Sequence, residues 1–246
     1  MDSIQALEAL FLKSKFKFRS DLPFKSDSFV GRDSQLHALR QKLSGISSRR
    51  SMVLFGPGGV GKTQLALKYC WDHKADHSTI LWFNADNMNA MRASFLTLAN
   101  KIVAYHKSEF ESHAVPIGLI AQYLDLQKLA NSKGIVVAEN DDALDRVVDA
   151  VKLWLNLEGN NQWLAVFDSY EPDNFPERCR IDRYLPEARS GTIVVTTRRR
   201  IGSLQNGGVM EIHPFSDEES LQLLLRSSQK DDEDLSEEES KLRQVQ

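Results

Sequence analysis

Short apolar runs, separated by longer segments with helical spacing, recur along the chain. The runs lie at 52–55, 80–83, 163–167, 193–195 and 209–212. Runs of this length that alternate with helices are typical of parallel strands buried on both faces. The pattern therefore predicts an α/β fold, a three-layer sandwich with a five-stranded, mainly parallel sheet.

The segments between the runs carry apolar residues at helical intervals. Leu36, Leu39 and Leu43 precede the first run at such a spacing. The clearest helix lies before the third run, where Asn140 can cap its first turn. Its predicted buried face consists of Leu144, Val147, Val148, Val151, Trp154 and Leu155.

Changes in composition divide the chain into three parts. Residues 1–28 predict an N-terminal arm or linker, with one short amphipathic helix and a basic, polar continuation. Residues 29–213 contain all five runs and predict one α/β domain. Residues 214–246 predict the truncated start of a helical domain, because the capping-box pattern at 216–219 precedes leucines at helical spacing and recurs at 236–239.

Charge and hydropathy limit the partners of the protein. The 246 residues have a formal net charge of −3, which does not favour a protein that neutralises nucleic-acid phosphates. No apolar run approaches the ~18 residues that span a bilayer. Asp2 and Glu8 precede the first basic residue, unlike in a secretory signal. We expect a cytoplasmic protein with no nucleic-acid or membrane partner.

The first apolar run leads into the sequence GPGGVGKT at 56–63, which matches G-x-x-x-x-G-K-[ST] between a strand and a helix. Glycines allow backbone N–H groups to surround phosphate oxygens, and the following helix N-terminus favours the negative charge. Lys62 is expected to reach the β- and γ-phosphates, and Thr63 to provide a hydroxyl to Mg²⁺. The predicted phosphate-binding residues are Gly56, Gly58, Gly59, Val60, Gly61, Lys62, Thr63 and Gln64. The motif therefore predicts that residues 29–213 form a P-loop nucleotide-binding domain.

Two further residues follow strands that would lie beside the P-loop. Asp168 follows the third run and is the acid best placed to bind the metal. Arg198 follows the fourth run, within Thr196-Thr197-Arg198, where a guanidinium could reach a γ-phosphate. The alternative for this basic segment is a solvated cluster without a ligand.

The ordered series of motifs resembles the NB-ARC domain, the nucleotide-binding module of STAND-class NTPases. The matching segments are FVGR at 29–32, GPGGVGKT at 56–63, ILWFNA at 80–85, FDSY at 167–170 and GTIVVTTR at 191–198. The segment RYLP at 183–186 is most similar to the fungal members. NB-ARC domains belong to NLR-like proteins that signal in innate immunity.

The resemblance implies a function and a role for each matching residue. Val30, Gly31 and Arg32 would hold the adenine, Asp168 would be the Walker B metal ligand, and Arg198 would sense the γ-phosphate. The five strands would have the order 5-1-4-3-2. The chain would be an ATP/ADP-dependent switch with slow Mg²⁺-dependent hydrolysis, acting with other domains or copies in an NLR-like assembly.

One departure from the family leaves the chemistry open. Relatives usually have a second acid directly after the Walker B aspartate, where this chain has Ser169. An unperturbed hydroxyl is a poor general base. Glu171 and Asp173 are nearby acids, but the sequence alone does not place either on a water molecule. Ser169 therefore leaves open a nucleotide-binding scaffold without turnover. A separate alternative is a small-molecule P-loop kinase.

Overall fold

The computed structural model describes residues 3–13, 17–23, 29–45, 48–158, 160–177, 180–187, 190–204 and 207–228. The strands are β1 (Phe18–Arg19), β2 (Arg50–Phe55), β3 (Thr79–Asn84), β4 (Trp163–Asp168), β5 (Thr192–Thr197) and β6 (Gly208–Glu211). The helices are α1 (Ser3–Lys13), α2 (Asp33–Leu43), α3 (Lys62–Asp72), α4 (Met88–Glu109), α5 (Ile117–Tyr123), α6 (Asp141–Leu155) and α7, which covers 217–228.

The described strands form a single sheet with the order β1-β3-β4-β5-β2-β6. Every neighbouring pair is parallel. The five predicted strands are confirmed as β2 to β6. Numbered along the chain, they also follow the 5-1-4-3-2 order that the NB-ARC resemblance implied.

Side chains alternate between the two faces of the sheet, and each face is covered by helices. Val53, Phe83 and Phe167 face the larger core, to which α1, α4, α5 and α6 contribute. Met52 and Leu54 face the smaller core, to which α2 and α3 contribute. The predicted three-layer α/β architecture is therefore confirmed.

The amphipathic helix α6 is held against α4 by both apolar and polar contacts. The side chain of Asn140 accepts a hydrogen bond from the Ala143 N–H group, as predicted for an N-cap. Apolar residues of α6 pack in the larger core. The buried guanidinium of Arg92 on α4 donates to Asp141 at 2.9 Å and to Asp145 at 2.8 Å.

Residues from the predicted N-terminal arm contribute to the larger core and to the sheet. Leu7 and Phe11 of α1 are buried, and the Phe11 ring stacks on Tyr123. Phe18 pairs with Thr79, so β1 extends the sheet beyond β3. The described parts of 1–28 thus lie against the domain, because their aromatic and apolar side chains cover an edge of its core.

The chain after β6 turns into helix α7. The predicted capping box is present, since the Ser216 N–H donates to Glu219 Oε2 and the Glu219 N–H donates to Ser216 Oγ. Leu221, Leu224 and Leu225 are exposed on this helix. The second capping pattern, at 236–239, lies outside the described residues. Among the described helices, none is long and apolar enough to cross a membrane.

Candidate nucleotide-binding site

The P-loop connects the end of β2 to the start of α3, as the motif predicts. Gly59 has φ of 76° and Gly61 has φ of 94°, a left-handed backbone that other residues rarely adopt. A Cβ atom at either position would meet no atom within 4 Å. Backbone conformation rather than space therefore requires glycine here. The loop directs the first turn of α3 towards a cavity.

This cavity lies at the carboxyl ends of the strands and has a volume of about 280 Å³. It combines the P-loop with residues that follow β4 and β5. Its lining consists of Gly58, Gly59, Gly61, Lys62, Thr63, Gln64, Ser169, Glu171, Thr196, Thr197 and Arg198. A helix N-terminus and two basic side chains at one cavity favour an anion.

Lys62 is only 8% exposed, and its ammonium group bonds to the P-loop itself. Nζ donates to the carbonyl oxygen of Gly56 at 2.8 Å and to that of Pro57 at 2.7 Å. Burial and the nearby Arg198 lower the pKa of Lys62, while Glu171 and Asp168 act in the opposite direction. The ammonium group is thus positioned in the loop, beside the cavity, before any anion binds.

Asp168 joins the P-loop to the end of β5 through one carboxylate oxygen. The Thr63 hydroxyl donates to Oδ1 at 2.8 Å, and the Thr196 hydroxyl donates to the same atom at 2.6 Å. Thr196 Oγ1 in turn accepts the N–H group of Ser169 at 2.8 Å. Thr196 was not among the predicted site residues, although its position at the end of an apolar run, directly before Thr197 and Arg198, was a usable signal.

The residues around Asp168 suit a magnesium ion. Thr63 and Asp168 place a hydroxyl and a carboxylate side by side, and Mg²⁺ prefers such oxygen ligands. Mg²⁺ usually takes only one or two protein ligands, and water and phosphate complete its coordination. The described residues contain no cluster of three or more His, Cys, Asp or Glu side chains suited to a metal. This donor set therefore fits Mg²⁺ bound together with phosphate.

The chain turns sharply immediately after Asp168. Ser169 has φ of 64°, which is uncommon for a residue other than glycine. Glu171 then reaches the cavity, where its Oε1 accepts the backbone N–H of Arg198 at 3.1 Å and lies 3.8 Å from Arg198 Nε. Asp173 instead forms an ion pair with Arg199 at 2.5 Å.

Arg198 lines the same cavity as the P-loop residues. Its side chain is 73% exposed. A Cβ atom on Gly58 would lie 3.7 Å from Arg198 Nε, so the arginine side chain lies over the P-loop. The predicted basic residue thus shares one cavity with Lys62.

The segment that the resemblance assigned to adenine lies beside the P-loop but does not line the cavity. Val30 is buried, and Gly31 lies against Glu219 of α7. The Arg32 guanidinium donates to the carbonyl oxygens of Val60 and His213, at 3.0 and 2.8 Å. Arg32 therefore holds the P-loop against the segment that follows β6.

The structure thus brings most of the predicted site residues together. Gly58, Gly59, Gly61, Lys62, Thr63, Gln64 and Arg198 line the cavity, and Asp168 binds Thr63 beside it. The remaining predicted residues lie around this group. The Gly56 carbonyl oxygen accepts a hydrogen bond from the Lys62 ammonium group. The Val60 side chain packs in the smaller core, and the 30–32 segment flanks the loop.

No protein-family model matches the chain, and no curated protein matches it. Among solved structures, it is similar to Cdc6p from Pyrobaculum aerophilum, with 14% identity and a TM-score of 0.47 over 81% of this chain and 51% of that one. It is also similar to the ORC2 protein of Aeropyrum pernix in its ADPNP-ADP complexes, with 14% identity and a TM-score of 0.44 over 85% and 55%. The chain spans about half the length of these proteins.

Proposed function

We propose that the protein is an ATP/ADP-binding switch module of the NB-ARC type, with slow Mg²⁺-dependent hydrolysis. The observation that carries the proposal is the contact of Thr63 with Asp168 at the P-loop cavity. Thr63 would bind Mg²⁺ from the P-loop, and Asp168 would bind it from the end of β4. The contact therefore joins the two expected metal ligands.

The cavity supports a polyphosphate ligand. Its volume of about 280 Å³ is near the lower limit of the ~300–1,000 Å³ typical of small-molecule sites. It therefore suits a phosphate chain better than a complete nucleotide. Lys62 and Arg198 provide positive charge at this cavity, and the start of α3 provides N–H groups. We assign the adenine to the neighbouring 30–32 segment, as in NB-ARC domains.

The contacts of Arg32 support a switch rather than a simple binding site. Arg32 bonds to Val60 in the P-loop and to His213 after β6, and its guanidinium lies 4.2 Å from the centre of the Phe215 ring. Helix α7 begins directly after this segment. If the exchange of ADP for ATP shifts the P-loop, the Arg32 side chain would therefore transmit this shift to the segment from which α7 begins. The partners would be other domains or copies of an NLR-like assembly in the cytoplasm.

Ser169 favours a second candidate, a nucleotide-binding scaffold without turnover. Ser169 lines the cavity where relatives have an acid, and an alcohol does not accept a proton readily. Such a protein would bind ATP and ADP through the same P-loop contacts. It would differ from a switch with turnover only in the fate of the γ-phosphate.

Phosphate release tests these functions against each other. Purified protein is incubated with ATP and Mg²⁺, with ATP and EDTA, and with ATP, Mg²⁺ and a panel of small alcohol and amine acceptors. The switch predicts slow release with Mg²⁺ that acceptors do not change, and none with EDTA. Tight ATP binding without release would favour the scaffold. Turnover that requires an acceptor would indicate a kinase and contradict the proposal.

A further inference from the structure

The acids that follow β4 differ in their access to the phosphate cavity. Glu171 lines the cavity, and its side chain is 19% exposed. Asp173 is 63% exposed, pairs with Arg199 and does not line the cavity. Ser169 lines the cavity but has only a hydroxyl. Of these three residues, Glu171 alone combines a carboxylate with a place in the cavity wall.

Backbone geometry brings Glu171, two residues after Ser169, to the cavity. The left-handed backbone at Ser169 changes the direction of the chain immediately after β4. Two hydrogen bonds hold this turn against β5: the Ser169 N–H donates to Thr196 Oγ1, and the Tyr170 N–H donates to the Thr196 carbonyl oxygen. Tyr170 is buried, so the next side chain, that of Glu171, reaches the cavity.

The carboxylate of Glu171 is oriented by the backbone rather than left to rotate. Its Oε1 accepts the Arg198 N–H at 3.1 Å. This bond restrains the torsions of a flexible side chain, and none of the described residues donates a hydrogen bond to the second oxygen, Oε2. A carboxylate restrained in this way can accept a hydrogen bond from water in a defined direction.

We propose that Glu171 is the catalytic carboxylate that orients and deprotonates the water in ATP hydrolysis, an inference that rests on the proposed function. The water oxygen forms a bond to the γ-phosphorus, and the bond from that phosphorus to the β–γ bridging oxygen breaks. The bridging oxygen keeps the electron pair and leaves with ADP. The water proton passes to Glu171, which then releases it to solvent as inorganic phosphate leaves.

The test compares wild type with Glu171→Gln and with the matched control Asp173→Asn. Glutamine keeps an oxygen for the Arg198 N–H but cannot take a proton, so the turn and the anchor are retained. Three quantities are measured: affinity for ATP and ADP by calorimetry, single-turnover phosphate release with Mg²⁺, and the nucleotide that remains bound after incubation with ATP, identified after denaturation.

Glu171→Gln is expected to slow phosphate release by ~10²–10⁴-fold, the usual contribution of a positioned general base. Its affinity for ATP should stay within about threefold of wild type, because the binding contacts are unchanged. The variant should retain ATP under conditions in which wild type and Asp173→Asn hold ADP. Glu171→Asp should recover part of the rate.

Three results would overturn the inference. If Glu171→Gln releases phosphate at the wild-type rate, another group handles the water. If wild type binds ATP but releases no phosphate, Glu171 has no such role, and the scaffold function stands instead. If wild type fails to bind ATP at all, the proposed function itself is wrong and the inference falls with it.

Discussion

The hydroxyl of Thr63 donates a 2.8 Å hydrogen bond to Asp168, although 105 residues separate the two in sequence. This contact forms because β2 and β4 both neighbour β5 in a parallel sheet, so their carboxyl ends meet at one edge. Thr196 at the end of β5 completes the arrangement by donating to the same carboxylate oxygen. The helix that follows β2 and the end of β5 thus each place a threonine hydroxyl on the acid that ends β4.

Asp168→Asn should remove the effect of Mg²⁺ on ATP binding. The asparagine keeps an Oδ1 atom for both threonine hydroxyls but removes the charge that attracts the cation. Wild type should bind ATP at least about tenfold more tightly with Mg²⁺ than with EDTA, because the cation offsets the charge of the phosphates; tenfold corresponds to about 1.4 kcal/mol. Calorimetric titrations under both conditions measure this ratio. A ratio in Asp168→Asn equal to that of wild type would exclude the Walker B role.

Arg32→Ala should destabilise the fold and loosen the P-loop. Arg32 is 5% exposed, and its removal leaves the Val60 and His213 carbonyl oxygens without this donor. We expect a loss of about 2–3 kcal/mol in the free energy of unfolding, measured by urea denaturation. The control is Arg226→Ala, an exposed arginine that donates to the Phe29 carbonyl oxygen and should change stability by less than about 0.5 kcal/mol. Equal effects of the two variants on the free energy of unfolding would contradict the role of Arg32 in holding the P-loop.

Gly191→Ala should be strongly destabilising. Gly191 has φ of 94°, and an added Cβ would lie 2.1 Å from the buried Trp163 ring. Strain and overpacking together should cost about 2–4 kcal/mol of unfolding free energy. A Cβ on Gly202 would meet nothing within 4 Å, so Gly202→Ala is the matched control. Thermal and urea unfolding of both variants would reveal the difference, and a Gly191→Ala protein as stable as Gly202→Ala would contradict this packing.

Stability should fall in mild acid because of His106. Burial lowers the pKa of His106 from 6.5 to about 3, and the Trp154 indole N–H donates to its ring. Below pH 6.5 the unfolded chain therefore binds a proton at His106, whereas the folded protein does not bind this proton until the pH approaches 3. The loss from this residue should reach ~1.4 kcal/mol for each pH unit between about 6.5 and 3. His77, with a pKa lowered to about 4, acts in the same direction.

His106→Gln isolates this contribution. A glutamine oxygen can accept the Trp154 N–H but does not titrate. The difference in unfolding free energy between wild type and variant should therefore shrink as the pH is lowered from 7 to 5. A difference that stays constant over this range would show that His106 is not buried as a neutral ring.

Local patterns were sufficient to predict the main elements. The five apolar runs are long enough to identify β2 to β6, and the capping box at 216–219 depends on residues three apart in sequence. Strand β1 escaped prediction because its two residues, Phe18 and Arg19, form no apolar run. Their pairing depends on β3, which lies far away along the chain.

The candidate site was less accessible to sequence reasoning. The roles of Lys62 and Thr63 follow from a contiguous motif, but the position of Glu171 depends on the left-handed turn at Ser169. That turn is stabilised by Thr196, on a neighbouring strand. A contact between residues on different strands cannot be predicted from the spacing of residues along the chain. Similarly, the bonds of Arg32 to Val60 and His213 exist only once β2 and β6 are side by side.

Calorimetric titration of ATP with Mg²⁺ into wild type, Lys62→Ala and Lys68→Ala tests the central claim, nucleotide binding by the P-loop. Lys68 lies on the same helix but pairs with Asp72 at the surface. We predict binding by wild type and Lys68→Ala, and a loss of about 10–100-fold or more in Lys62→Ala, whose fold is checked by circular dichroism. Binding by folded Lys62→Ala within about twofold of wild type would contradict the assignment of this loop to phosphate.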